Sequence, residues 1–372
     1  MEKKSFYSGE LDVWKLLFAL LIVVHHSRYL PGGEGQSWFL GGSIGVEFFF
    51  LVSGFLMLGS VEKARSMAGG EHLAAQTGSF MRRKVGAFLP YMLFAFAVSL
   101  TAAVIAQRSG MLGFLQLFLH SLPELFVISW SGVNTGILNA PTWYLSVMVL
   151  SMLILFPLAV RYGRIFTSVV CPLLALFIMG YLYQKYGQFR APDEWDGLFY
   201  KGMLRGFAEI ALGIFCAEVL RWIRGVRFTA FSRLLLTAVA CGSFIAVIVY
   251  SNGETWWDKD VQWLLLMAIS VIIVGGNLSL FSGIWNRCMW LSKWLGKLSL
   301  MLYLNHFYWF RILSMYDLQI PYPKMLMVYM VCSLASALVC WGCVDCLRAI
   351  WKRYGKIFRK LFVHEEETAI CG

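Results

Sequence analysis

Hydrophobic residues in this chain do not alternate with polar ones at the spacing of a half-buried helix or strand. They come in blocks. Largely apolar runs of about 20 residues recur from one end of the sequence to the other, separated by short stretches that hold most of the charge. A run of that length spans the ~30 Å hydrocarbon core of a bilayer as an α-helix, which satisfies its own backbone hydrogen bonds. Ten runs qualify, at residues 11–30, 42–60, 84–106, 143–160, 165–183, 200–220, 233–250, 260–282, 296–313 and 323–346. They predict an all-α polytopic membrane protein with about ten transmembrane helices in one bundle. Residues 111–130 are also apolar, but His120, Pro123 and Glu124 interrupt them. That segment is expected to lie at the interface, or to re-enter, between the third and fourth spans.

Composition sharpens this picture. The 372 residues are 59% hydrophobic and 14% charged, too apolar for a soluble domain of this length. No long polar block divides them, so residues 1–350 are expected to form one transmembrane domain, followed by a basic cytoplasmic tail over 351–372. Lys3 and Lys4 precede the first run and no small-residue cleavage site follows it, so no signal peptide is expected.

The net charge of +11 raises the question of nucleic acid, but the basic residues sit at alternate helix ends, where they orient a membrane protein. One side collects 23 Lys and Arg and the other 8, with Arg205 inside a span. This bias predicts a multi-pass plasma (inner) membrane protein with both termini cytoplasmic. Of the nine cysteines, Cys171, Cys216, Cys241 and Cys332 lie within apolar runs, as small hydrophobes do. Cys340, Cys343 and Cys346 are evenly spaced, but no histidine accompanies them; packing is the expected role, and no metal is expected.

The first run, ELDVWKLLFALLIVVHHSRYL at residues 10–30, keeps ionisable groups at both ends. Lys15 and His26 are eleven residues apart, which on a helix is about 20° in azimuth and about 16 Å in height; His25 points about 80° from Lys15. Asp12, three residues before Lys15, can pair with it. Such groups inside a span usually line a cavity or a path. The plainer alternative has Asp12 and Lys15 snorkelling to headgroups and His26 satisfied by packing. The second run begins GGSIGVEFFFLVSGFLM at residues 41–57, with Glu47 at a depth similar to that of His26. A carboxylate there would fix an imidazole's tautomer and raise its basicity, so Glu47 is expected to orient His26. Gly41, Gly42, Gly45 and Gly54 suit close helix packing. The cluster Arg82, Arg83 and Lys84 either sets topology or binds an anion. Arg205 has Glu209 four residues on, as a structural ion pair or as a contact on a donor path.

Taken together these stretches resemble acyltransferase family 3, the integral-membrane O-acyltransferases. Asp12, Lys15 and His26 match its Asp-x-x-Arg/Lys, ten residues, then His; His25 does not. Gly41 through Phe55 match its glycine-rich and Phe-Phe-x-x-Ser-Gly stretch, with Glu47 at the acidic position and Ser53 before Gly54. FMRRKVGAFLP at 80–90 and PTWYLSVMVL at 141–150 follow, and LSLMLYLNHF at 298–307 supplies Ser299, Tyr303 and His306. Two departures stand out: Gly86 replaces a second Arg, and Met148 an acidic residue.

The resemblance implies transfer of an acyl group, usually acetyl, from cytoplasmic acyl-CoA to a hydroxyl of a lipid-linked or surface glycan. Acetyl-CoA is then a co-substrate, and no tightly bound cofactor is expected. Lys15, Arg82, Arg83 and Lys84 would hold the phosphates of coenzyme A. His26 would deprotonate the acceptor or carry the acyl group itself, with Glu47 in support. Ser53 and Tyr303 would bond to oxyanion or substrate, and His306 would be structural or supporting. The implied partners are acyl-CoA, a glycan acceptor and the bilayer, with no nucleic acid. A glycan or lipid transporter is the main competing reading, because intramembrane His and Glu also serve proton relays; a membrane scaffold or sensor is a third.

Overall fold

A computed structural model describes residues 7–33, 38–67, 72–108, 110–131, 137–187, 191–253, 259–316, 318 and 320–369, with side chains through Trp351 and at Arg353. Lys3, Lys4, Arg190 and the tail side chains of Lys352, Lys356, Arg359 and Lys360 lie outside that description. Every expected span is largely helical. The helices are α1 (Gly9–His26), α2 (Gly45–Ser66), α3 (Leu73–Ala106), α4 (Met111–His120), α5 (Leu122–Leu125), α6 (Trp143–Ile165) and α7 (Cys171–Tyr186). They continue with α8 (Lys201–Trp222), α9 (Ala230–Tyr250), α10 (Asp260–Gly275), α11 (Phe281–Arg287), α12 (Met289–Asn305), α13 (Tyr308–Ser314) and α14 (Tyr322–Ala369). One small hairpin, β1 (Trp195–Asp196) with β2 (Phe199–Tyr200), precedes α8.

Among the described residues, five helical stretches are long and apolar enough to cross a bilayer: 42–66, 73–106, 140–186, 230–250 and 322–351. The chain is therefore an all-α membrane protein. α1 fails that measure because it carries Glu10, Asp12 and Lys15; α8 fails because Lys201, Arg205, Glu209, Glu218 and Arg221 lie along it. These two charged helices are buried among the apolar ones, where their polar groups can find partners instead of lipid.

Three boundaries differ from the sequence reading. The stretch 143–183 has no polar loop; its helices are joined through Gly163 (φ 58°, ψ −132°) and a π-turn over Phe166–Val170. The expected run 260–282 ends early, at Gly275, and α11 follows separately. The expected run 296–313 is two helices: α12 begins earlier, at Met289, and stops at Asn305, with His306 and Phe307 at the break before α13. The last helix, α14, runs on past residue 350, where the basic tail is expected to begin.

In lipid, helices gain little from hiding apolar surface from one another, so close packing holds the bundle together. The tightest junction is α2 against α8. A side chain added at Gly54 would sit 2.0 Å from the Ile210 carbonyl oxygen, and one at Gly213 would sit 2.1 Å from that of Leu51, so only glycine fits at this crossing. α1 runs beside α12 and α2, and Phe18 stacks on Phe48 at 4.2 Å beneath Phe244. The interrupted segment forms α4 and α5. α4 buries no residue and leaves Met111, Leu112 and Leu119 exposed, as an apolar helix too short to span does at an interface.

Candidate active site

α1 organises the site. Its 18 residues extend about 27 Å. At the N-terminal end the Lys15 ammonium donates to Asp12 at 2.7 Å. At the C-terminal end His26 is the last helical residue. Each end opens on a cavity, named inner or outer after the orientation that the charge bias predicts. The inner one, about 210 Å³, is lined by Lys15, Lys84, Ser53, Tyr144, Met148, Ser299 and Tyr303, among others. The outer one, about 430 Å³, is lined by His26, Arg28, Tyr29, Trp130, Trp143, Asp193, Arg205, Tyr303 and Phe307, among others. Tyr303 belongs to both walls. Its hydroxyl donates to the Pro141 carbonyl at 2.7 Å, which pins it between the two spaces.

The outer end is a meeting of imidazoles. His306 Nε2 lies 3.0 Å from His26 Nδ1, and His306 Nδ1 lies 3.2 Å from the carbonyl of Leu302, one turn back in α12. His306 is wholly buried. The sequence reading gave His26 a carboxylate partner, Glu47. The structure gives it a second imidazole, and Glu47 instead meets Arg205 at 3.3 Å. Arg205 also faces Glu209 at 3.5 Å and lies over the Trp143 ring, 5.4 Å from its centroid. All three ionic groups are buried, so the Arg205 cation ties α2 to α8 at the floor of the outer cavity. The inferred i, i+4 pair within α8 is present, but its neighbour on α2 could not be seen from spacing alone. His25 lines the outer cavity as well, and its Nδ1 bonds to the Phe39 carbonyl at 2.9 Å, holding the loop that leads into α2.

The inner end gathers cations. Lys15 and Lys84 share one cavity, and among the described residues no carboxylate forms an ion pair with Lys84. Arg82 and Arg83, expected to act with Lys84, are exposed and outside this cavity; Arg82 reaches only Ser79, at 3.4 Å. Ser53 Oγ and Tyr144 Oη lie 2.9 Å apart, Tyr144 donates to the Phe49 carbonyl at 3.1 Å, and Ser53 also reaches the Met148 sulfur at 3.4 Å. Met148 thus fills, with a polarisable thioether, the place where an acidic residue was expected.

Sequence reasoning missed a clamp on the outer side. Glu124 is buried and accepts from the backbone N–H of Leu138 and Asn139, at 2.9 and 3.3 Å; Asn139 Nδ2 donates to the Leu304 carbonyl at 2.8 Å. The clamp fixes the turn that presents Pro141 to Tyr303. An acid within an otherwise apolar interfacial stretch was the signal for it. Tyr144 was also missed, although it sits within a quoted motif.

The two cavities make a passage interrupted at Tyr303, cationic at one end and imidazole-lined at the other. A family model described as an acyltransferase domain matches residues 8–345, nearly the whole chain. The chain belongs to acyltransferase family 3. No curated protein and no solved structure matches it. Acyl transfer is therefore the chemistry this family 3 member must house, and both cavities lie within the matched residues.

Proposed function

We propose that the protein moves an acyl group, acetyl in the simplest case, from cytoplasmic acyl-CoA to a hydroxyl of a cell-surface or lipid-linked glycan. The observation that carries this reading is the place of Tyr303 in both cavity walls, which leaves one side chain between a cationic pocket and an imidazole pair. Coenzyme A is polyanionic, and Lys15 and Lys84 would attract its phosphates or the polar end of its arm. The thioester then reaches past Ser53 towards Tyr303. A saccharide enters from the other side, where Trp130, Trp143, Tyr29 and Phe307 offer apolar ring faces.

In the direct route, His26 takes the proton of the acceptor hydroxyl as its oxygen attacks the thioester carbonyl. The C–S bond breaks, the ester leaves on the outer side, and the thiolate takes that proton from His26 to leave as free coenzyme A, which restores the neutral imidazole. In the covalent route, His26 first accepts the acyl group and then passes it to the hydroxyl, with the same products.

The same reading has the chain cross the plasma membrane ten times with both termini cytoplasmic. Reporters fused at residue 70 and after residue 360 should then read cytoplasmic, and one at residue 255 external. The deciding assay uses purified protein with acetyl-CoA and a glycan acceptor. Acceptor-dependent release of free thiol, with one acetyl group added to the glycan, supports transfer; a transporter would move the glycan and release no thiol.

A further inference from the structure

Catalytic histidines are commonly held by a carboxylate, which fixes the tautomer and balances the imidazolium. Among the described residues no carboxylate pairs with His26 or His306. What is present is a chain of three groups: the Leu302 carbonyl, His306 and His26.

A carbonyl oxygen can only accept, so the proton of a neutral His306 must sit on Nδ1. Its Nε2 then carries a lone pair and can only accept. The partner 3.0 Å away, His26 Nδ1, must therefore donate. His26 is left with its lone pair on Nε2. The alternative, a cationic His306 donating from both nitrogens, would leave a charge with no counter-ion at a wholly buried position.

A second feature addresses the charge. His26 ends α1 and His306 follows the last residue of α12, so both rings sit at helix C-termini. The negative ends of two helix dipoles favour a cation there.

We infer that His306 is a positioning residue that holds His26 in the Nδ1–H tautomer, leaving Nε2 as the basic nitrogen, and that two helix C-termini stand in for the missing carboxylate. This rests on the reading of His26 as the reacting group. When Nε2 takes up the hydroxyl proton, the Nδ1 proton can move towards His306 Nε2, so the pair shares the positive charge; no group is gained or lost, and the proton returns when coenzyme A leaves as the thiol.

The test is ¹⁵N NMR of histidine-labelled protein in lipid, with His26→Gln assigning the His26 signals by their loss. The expected wild-type spectrum has His26 Nδ1 protonated and Nε2 bare. A protonated, donor-type Nε2 would overturn the proposal. Two variants then separate positioning from packing. His306→Gln keeps an acceptor at similar reach and should keep the tautomer, with kcat within about tenfold. His306→Leu cannot accept; it should mix the tautomers and lower kcat about a hundredfold, with acyl-CoA affinity unchanged. A His306→Leu protein that binds acyl-CoA, turns over normally and keeps the Nδ1–H signal would end the idea. If that variant fails to fold, the wild-type spectrum still decides. Wild-type protein with the expected tautomer but no thiol release would sink the acyl-transfer reading and leave the pairing intact.

Discussion

At its outer end the passage is walled by aromatic rings around two imidazoles, and at its inner end by two ammonium groups beside a serine and a tyrosine. The outer groups are fixed. His306 bonds to its own helix, Arg205 is held between two carboxylates, and Glu124 clamps the turn against Tyr303. The inner cations are held more loosely: Lys15 pairs with Asp12, no carboxylate among the described residues forms an ion pair with Lys84, and Arg82 and Arg83 are exposed. The contrast fits a division of labour. Chemistry needs atoms held within tenths of an ångström, whereas attraction of an anion needs charge in roughly the right place.

Six substitutions, one of them a control, can break or sharpen that contrast, taken from the largest effect down. His26→Ala should abolish transfer, a loss of about 10²–10⁴-fold, while acyl-CoA binding persists, because the damage is confined to the outer end. Thiol release in membranes with matched protein levels, paired with donor-binding titration, checks both halves. Arg205→Ala leaves Glu47 and Glu209 facing each other without their cation; breaking a buried pair this way costs about 3–5 kcal/mol, so folded yield and thermal stability should fall before any kinetic effect can be read.

At the inner end, Lys15→Ala or Lys84→Ala should weaken acyl-CoA binding about tenfold or more with kcat little changed, since each charge-assisted contact is worth about 1.5–3 kcal/mol. Arg83→Ala is the internal control and should alter binding less than about twofold. Equal losses in Lys84→Ala and Arg83→Ala would mean that the donor is held by surface charge and not by the cavity. Apart from that control, the smallest effect belongs to His25→Ala. Loss of its bond to the Phe39 carbonyl, worth about 1 kcal/mol, should raise the KM for acceptor severalfold while leaving kcat within about threefold.

The helices and their rough extents could be read in the sequence because a bilayer demands long, self-satisfied apolar segments. The Lys15–His26 axis could be read too, because azimuth along one helix is arithmetic. Neighbour relations between helices could not. Nothing in the spacing of α1 says that its last residue meets His306, 280 positions away, or that Glu47 of α2 belongs to Arg205 of α8. The separation of Lys84 from Arg82 and Arg83 was within reach. Three consecutive helical residues point about 100° apart in turn, so they cannot all line one cavity. The break at His306 was hidden because LSLMLYLNHFYWF is largely apolar and has no Gly or Pro to mark it, with only Asn305 and His306 polar at that point.

The shared wall at Tyr303 also has an electrical meaning. Where two cavities approach from opposite ends of a span, the insulating layer between them is about one side chain thick, far less than the ~30 Å of hydrocarbon around it. If both cavities admit water and ions, the transmembrane voltage falls mostly across that septum. Moving one elementary charge through it is then worth about 2.3 kcal/mol per 100 mV. A neutral acyl group crosses without feeling this field, but a proton passed inward from the imidazole pair to a departing thiolate does not. Turnover in proteoliposomes held at opposite potentials would show which of the two makes the crossing: a rate indifferent to voltage means that the acyl group crosses alone and each side balances its own proton.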